Sequence, residues 1–586
     1  MLLVFSLTSW FAWAHKSTTF DEPLHMVSAL IQTHYGDLRF DSENPCLWKY
    51  YVGAGARIPN LPVDLPRLTL QSYSNGLSKG PADSDIDTLI AAGRSRMTFL
   101  GFLMGVLITW WSWRLAGPVA AMVASSFFCL DPNFLAHASL IKNDVPITLV
   151  LASFTAAIWL VGERATIGRW VVLSLLLGAA LTTKYSGVIA IPVLAFAIGL
   201  RALSPAPWPV LRWIGHTRFH RLLFGVAITI ATMLAAYVFI WGCYGFRWGP
   251  SPDPALRLRL EVASVPWAQA RTIIAHGAMS VPQDEFLRSM KSWRPDRFIR
   301  TMFWLDNHHV FPEAWLSGFI ITAAHAEVRT GYLMGHVSLV GWWYYFPLAM
   351  LFKTPLATLV GSFITGIVGI WWMARGNAWV ARYYWPACVL GITPLLYMAS
   401  AMHSHLNLGI RHVLPVYPFL FILMGVTAAW ALRRWPRSTC GIIGVLVLGL
   451  ALETFAAFPN YIPFFNVAAG GWRGGLELLS DSNIDWGQEL IDLADWQAGH
   501  KDRPLYLAYF GSADPAHYGI SYVKMDLDSM RALQSKSGLG RTRPFFAMSA
   551  VNLQGQYLTQ EEREIFQPFR RMQPLAVIGG SIYVYQ

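Results

Sequence analysis

The chain has 586 residues, of which 54% are hydrophobic and only 13% charged, and its mean hydropathy is +0.39; a soluble globular composition, with about 25% charged residues, is excluded. Repeated apolar runs of roughly 14 to 25 residues match a bilayer core of about 30 Å and lack the alternation of barrel strands. The net charge of +11 does not mark a nucleic-acid binder, because it sits in short loops: Arg114, Arg164, Arg169, Arg201, Arg212, Arg218, Arg221, Arg375, Arg382, Arg433, Arg434 and Arg437 face a single acid, Glu163, and account for the whole excess. A positive-inside bias explains this and makes those loops cytoplasmic.

Met1 to Ala14 is apolar but reaches only about 21 Å as a helix. It ends in Ala12-Trp13-Ala14, which fits a signal-peptidase pattern. No basic segment precedes it, and cleavage would leave Asp21 near a free terminus, so it reads as a first transmembrane helix. Residues 15–96 form a polar loop rich in Pro, Gly and Asp, too long for a plain connection. Apolar spans follow at 97–114, 117–135, 145–161, 170–183, 185–201, 221–246, 355–374, 383–402, 412–432 and 440–458, which with the first makes eleven.

Two segments are decided by the arginines. The run Trp170 to Leu200 is flanked on both sides by arginine-rich loops, so an even number of crossings separates them, and it divides into two short spans that turn at Thr182-Thr183-Lys184-Tyr185. Leu339 to Phe352 resembles a span in hydropathy, but counting it would place Arg375 and Arg382 outside. Its Trp342-Trp343-Tyr344-Tyr345-Phe346-Pro347 suits an interfacial or re-entrant segment instead. The expected topology has a cytoplasmic N-terminus, eleven spans and an outside C-terminus. Residues 1–458 make a transmembrane domain with outer loops 15–96 and 247–354, and 459–586 a small soluble α/β domain with strand-like runs at 505–510, 545–548 and 581–585 and a helix near 486–497. The five cysteines show no paired or metal-type spacing; Cys46 and Cys243 both face outward, and nothing in the sequence brings them together.

Asp21 and Glu22, in Thr18-Thr19-Phe20-Asp21-Glu22-Pro23-Leu24-His25, are adjacent carboxylates where the first apolar segment ends. Carboxylates are costly at a membrane and persist where they are paired or used. Asp144, in Lys142-Asn143-Asp144-Val145-Pro146, opens a helix on the same outer side, where capping the helix is a compatible role. Arg411 follows the turn His403-Ser404-His405-Leu406-Asn407-Leu408-Gly409-Ile410, and a guanidinium fits a phosphate with a bidentate fork. His405 and His412 can assist it, and Lys184 and Lys353 are weaker phosphate candidates, since lysines often only snorkel. Asp306, His308, His309, Glu313, His325 and Glu327 are metal-capable, but equally suit an ordinary polar loop. A divalent metal is therefore an open expectation without an assigned ligand set. Asp481-Ser482-Asn483-Ile484-Asp485-Trp486-Gly487-Gln488-Glu489 either starts a helix or faces the site.

On Phe20-Asp21-Glu22-Pro23, Asn143-Asp144-Val145-Pro146, Thr183-Lys184-Tyr185 and Arg411-His412-Val413-Leu414-Pro415, the chain resembles the GT-C membrane glycosyltransferases, in particular the protein O-mannosyltransferase family and its bacterial relatives, including the aminoarabinose transferases acting on lipid A. Trp342 to Pro355 and Asp485-Trp486-Gly487-Gln488 look like segments of uncharacterised bacterial members. The resemblance implies a GT-C fold and inverting transfer of a sugar from a polyprenyl-phosphate donor (undecaprenyl or dolichyl) to a hydroxyl of a protein, lipid or glycan. It implies Asp21 as general base, Glu22 orienting the acceptor, Asp144 supporting the site, and Arg411 neutralising the leaving phosphate. The expected setting is a bacterial inner membrane with the site facing the periplasm, or the endoplasmic reticulum membrane. No repeated MIR module follows, so a protein acceptor is not assured. The alternative is a transporter or flippase of polyprenyl-linked substrates, although transporters more often hold ionisable residues near the bilayer midplane.

Overall fold

The computed structural model describes residues 1–56, 85–276, 283–374, 378–535 and 543–586. The stretch 57–84 of the first polar loop, Arg375 and the side chain of Arg382 lie outside the described residues. Among the described residues, eight helices are long and apolar enough to cross a membrane: Ile86–Ala116, Asp144–Glu163, Tyr185–Leu203, Arg218–Cys243, Leu356–Ala374, Tyr384–His403, Ile410–Arg434 and Pro436–Ala457. Three shorter apolar helices, Leu2–Ala14, Pro118–Cys129 and Ile167–Thr183, join them. They fall on the apolar segments read from the sequence, and the protein is a polytopic α-helical integral membrane protein.

Local chemistry sets the breaks. Gly117, at φ 88°, turns the chain between Asp85–Ala116 and a helix that starts on Pro118. Lys184 is extended between Ile167–Thr183 and the 3-10 turn Tyr185–Ile189, which divides the 170–200 run in two. The aromatic segment before Lys353 forms a helix of only nine residues, Tyr345–Lys353, about 13 Å long and too short to cross. The helix containing the 97–114 span begins earlier than hydropathy indicates and projects beyond the apolar layer as far as residue 85.

Most residues of the apolar stretches of Asp144–Glu163 and Ile410–Arg434 are buried, and these helices form the centre of the bundle, whereas few of those in Leu356–Ala374 and Pro436–Ala457 are buried and these helices face the surroundings. A helix buried on all sides in a membrane protein packs against helices, and one exposed along its length packs against lipid. The two ends of the bundle differ in charge. At one end lie Arg164, Arg169, Arg201 and Arg221, where Arg201 donates to Gly162 O, Ala206 O and Pro207 O, and Arg221 to Ala202 O and His216 O. A short hairpin, Trp208–Val210 with Trp213–Gly215, covers that end. At the opposite end the same helices carry Asp144, Lys184 and Arg411.

On that second end sits a five-stranded sheet in the order Val523–Lys524, Leu505–Ala508, Phe545–Ser549, Ile582–Tyr585, Ala576–Ile578. The first three strands are parallel and the last two antiparallel. Helix Leu490–Ala498 buries Leu490 and Leu493 against it. With native cysteines removed, single cysteines at Ala206 and Asp502 are expected to react with an impermeant thiol reagent from opposite sides of a sealed vesicle; labelling from one side would overturn the arrangement of the helices.

Candidate active site

Asp21 occupies the N-cap position of helix Glu22–Tyr35, with Pro23 in its first turn. Glu22 begins the helix and turns away into the protein. Arg94 grips both of its oxygens, Nε to Oε1 at 3.0 Å and Nη2 to Oε2 at 2.6 Å, while the backbone N–H groups of Thr19 and Ile141 donate to it at 2.9 and 3.2 Å. The remaining guanidinium hydrogens go to the carbonyls of Trp13, Lys16 and Ser17. Burial opposes ionisation of Glu22, but Arg94 and these N–H groups hold its pKa below the ordinary value. One ion pair thus joins the end of the first helix, the loop after it, the projecting turns of Asp85–Ala116 and the segment before Asp144.

The loop carrying Asp21 is also fastened to the C-terminal part. Ser17 N and Phe20 N donate to Gln488 O and Trp486 O at 3.1 and 2.8 Å, and Ser17 Oγ donates to Gly487 O while accepting from Leu490 N. Lys16 Nζ bonds Glu489 at 2.5 Å and Asp492 at 2.7 Å. The stretch 481–489, ambiguous in sequence, is the receiving edge for the loop that carries Asp21.

Asp21 opens into a cavity of 910 Å³. Lys142 Nζ lies 2.5 Å from Asp21 Oδ2. Lys184 binds Asp144 Oδ1. Arg411 stands between the two acids: Nη1 is 3.8 Å from Asp21 Oδ2 and 3.5 Å from Asp144 Oδ2 and has no hydrogen-bond partner. Its Nε donates to Ser482 Oγ at 2.9 Å, and its guanidinium lies 4.2 Å above the Trp486 ring. Within this cluster three cations meet two carboxylates and leave a local positive pole suited to an anion, while Asp41, Glu43 and Asp481 line other parts of the cavity. Although burial raises its pKa, Lys142, His25 and Arg411 hold Asp21 well below the usual carboxylate range. Away from this pole, Phe319, Ile321, Ala323, Ala326, Tyr397 and Ala401 make an apolar wall, and stacked Phe20, Phe510 and Tyr557 close another side.

The geometry therefore gathers Asp21, Asp144, Lys184, Arg411 and His412, the last lining the cavity with Nε2 unpartnered. It does not gather three others. Glu22 cannot orient an acceptor, because Arg94 and two backbone N–H groups occupy it and it is 1% exposed. Lys353 lies outside the cavity and donates to Ile462 O and Asn483 O at 2.6 and 2.7 Å, so its ammonium joins two segments rather than meeting a phosphate. His405 is likewise outside the cavity wall, its Nδ1 2.5 Å from Glu327 O. Lys142, His25 and Asp41 line the cavity without having been assigned there. Lys142 stood in the same motif as Asp144, and His25 in the same motif as Asp21; Asp41 carried no local signal.

The metal-capable residues of 306–327 disperse. Glu313 takes Arg257 at 2.8 and 3.0 Å, Asp306 accepts from Trp248, His309 stacks on Trp248, His325 meets Glu43, and Glu327 meets Arg271. Among the described residues no three His, Cys, Asp or Glu side chains converge as a metal-holding group. Cys46 and Cys243 are free thiols brought together, with Cys46 Sγ 3.6 Å from Cys243 O.

The fold and cavity define an integral membrane protein with a charged chamber at one end of its bundle. No family model matches the chain, and no curated protein matches it. Solved structures to which the chain shows similarity include ArnT from Cupriavidus metallidurans, at 15% identity over 100% of this chain and 96% of that one; the TM-score is 0.31 for its complex with undecaprenyl phosphate and 0.32 for its apo state. The oligosaccharyltransferase AglB from Archaeoglobus fulgidus, in complex with an inhibitory peptide and a dolichol-phosphate, is 10% identical over 88% of this chain and 64% of that one, with a TM-score of 0.40. These likenesses are distant.

Replacing Glu22 with Ala strands the Arg94 charge and is expected to cost about 3–5 kcal/mol, read as a lowered unfolding midpoint in detergent. The pair's contribution is complete above the unfolded-state pKa of Glu, about 4.3, and is lost as pH falls through the lower folded-state value. Lys353→Met is expected to change stability without weakening any anion bound in the cavity.

Proposed function

We propose that the protein is an inverting glycosyltransferase that moves a hexosyl or pentosyl group from a polyprenyl-phosphate donor to a hydroxyl acceptor. The observation that carries this is the sharing of one chamber by the Asp21 carboxylate and an anion pole, with Lys142 2.5 Å and Arg411 3.8 Å from the same oxygen. Glycosyl transfer with a phosphate leaving group requires both. The acceptor O–H gives its proton to a carboxylate as its oxygen attacks the anomeric carbon, the anomeric carbon–oxygen bond to phosphate breaks, and fixed cations stabilise the departing anion. Asp21 would take the proton. Lys142, Lys184 and Arg411 would hold the phosphate, with Asp144 fixing Lys184 and Arg411 in place.

The apolar wall from Phe319 to Ala401 suits a polyprenyl chain entering from the bilayer. The arginine-rich ends of the helices lie opposite the chamber, and the positive-inside rule puts them in the cytoplasm, so the reaction would face the periplasm or lumen. The acceptor remains a protein, lipid or glycan hydroxyl.

Asp21→Asn is expected to leave the protein folded while lowering transfer from a polyprenyl-phosphate-linked sugar by about 10²–10⁴-fold. Arg411→Ala is expected to lower kcat by about 10²–10³-fold through loss of leaving-group stabilisation. Reconstituted vesicles with radiolabelled donor measure both. Full activity of Asp21→Asn would remove the carboxylate from the mechanism, and flux of donor without a covalent product would favour a flippase.

A further inference from the structure

The arrangement around Asp21 poses a chemical problem that its neighbours answer. A carboxylate stabilised by Lys142 and Arg411 is a weak proton acceptor, so a proton received from an alcohol has to be passed on for the step to proceed. Lys142 bridges two groups: its Nζ lies 2.5 Å from Asp21 Oδ2 and 3.0 Å from His25 Nε2. His25 Nδ1 lies 2.9 Å from Asp41 Oδ2.

These contacts fix the tautomer. A carboxylate only accepts, so Nδ1 carries the hydrogen toward Asp41; an ammonium only donates, so Nε2 presents its lone pair to Lys142. In that tautomer Nε2 offers a lone pair that can receive a proton. Asp41 is held ionised against its burial by the hydrogen bond from His25 and by Lys49, and accepts a further hydrogen bond from Asn44 Nδ2 at 2.7 Å. The charged groups facing His25 are Asp21 on its own helix, Lys142 from the segment before Asp144, and Asp41 with Lys49 behind it; the Trp48 ring meets it edge-on at 5.3 Å. His25 and Asp41 both line the cavity, which gives the proton a way to water.

We propose that His25, buttressed by Asp41, is the terminal proton acceptor of the transfer reaction and is reached from Asp21 through Lys142. The inference rests on the glycosyltransferase reading. As the acceptor oxygen bonds to the anomeric carbon, its proton goes to Asp21. Lys142 then gives one ammonium proton to His25 Nε2 and takes the proton held by Asp21, so that Asp21 is again a carboxylate, Lys142 again an ammonium, and the net change is one imidazolium stabilised by Asp41. That imidazolium releases its proton to water in the chamber. No electron-pair acceptor beyond the donor sugar is needed, and the leaving phosphate keeps its bonding pair. His25 and Asp41 act through Lys142 and are relay and positioning residues.

The test has two arms on the full-length protein in nanodiscs. Nitrogen-15 NMR of histidine-labelled protein, with His25→Gln for assignment, is expected to place the His25 hydrogen on Nδ1 at neutral pH; an Nε2–H tautomer or an imidazolium overturns the relay whatever the activity. The second arm measures release of free sugar from a polyprenyl-phosphate-linked donor with water as acceptor. His25→Gln is expected to lower kcat by about 10²-fold with donor KM unchanged, and added imidazole to restore turnover in His25→Ala. Asp41→Asn is expected to lower the maximum and to move the acidic limb of the pH–rate profile to lower pH, because the imidazolium loses its carboxylate partner. Wild-type kcat and pH profile in the His25 and Asp41 variants would overturn the relay and leave the glycosyltransferase reading standing. Absence of turnover by the wild-type protein with every such donor would remove both.

Discussion

The buried ion pair of Glu22 with Arg94 is the contact on which the geometry of the chamber depends. A charge pair removed from water is tolerated when each remaining hydrogen-bonding group is satisfied, and here the guanidinium and carboxylate together meet three carbonyls and two N–H groups, so that with the helix bearing Arg94 the contact joins four segments of the chain. Because those segments are the end of the first helix, the loop after it, a projecting helix and the approach to Asp144, one pair fixes the positions of Asp21 and Lys142 relative to each other. Asp21, next in sequence to the pair, inherits this rigidity while keeping its own oxygens in the cavity. Glu22 therefore shapes the chamber without opening into it.

Much of this was legible from residue order alone, for a specific reason. In a chain with so few charges, an acid or base at the margin of an apolar run stands out, and Asp21, Asp144, Lys184 and Arg411 each do so. The arginine count resolved the 170–200 run and the nine-residue aromatic helix, because sidedness is a property of whole loops rather than of individual contacts. Direction was less accessible than depth. Adjacent residues on a helix diverge by about 100°, so Asp21 and Glu22 could not both enter one cavity, and the sequence did not say which would turn inward. Lys353 lies at the depth expected of a phosphate ligand, yet points to backbone carbonyls.

What escaped was tertiary. The pairing of Lys142 with Asp21 crosses 121 residues, and Asp41 reaches His25 only because its backbone adopts a left-handed conformation, φ 55°, in a loop whose fold no periodicity announces. The stretch 481–489 similarly disclosed an unusual composition but not that its backbone would receive residues 16–20. These are gaps in partner choice rather than in residue type: the charged groups were visible, and their mates were distant.

The joining of residues 16–20 to 486–490 carries a consequence for biogenesis. Lys16 and Glu489 are 473 positions apart, so the loop that presents Asp21 stays without its counterpart until nearly the whole polypeptide has been synthesised. A nascent or truncated chain holds every charged side chain of the membrane part, yet lacks the edge that aligns them. Completion of the chamber is thus coupled to completion of synthesis.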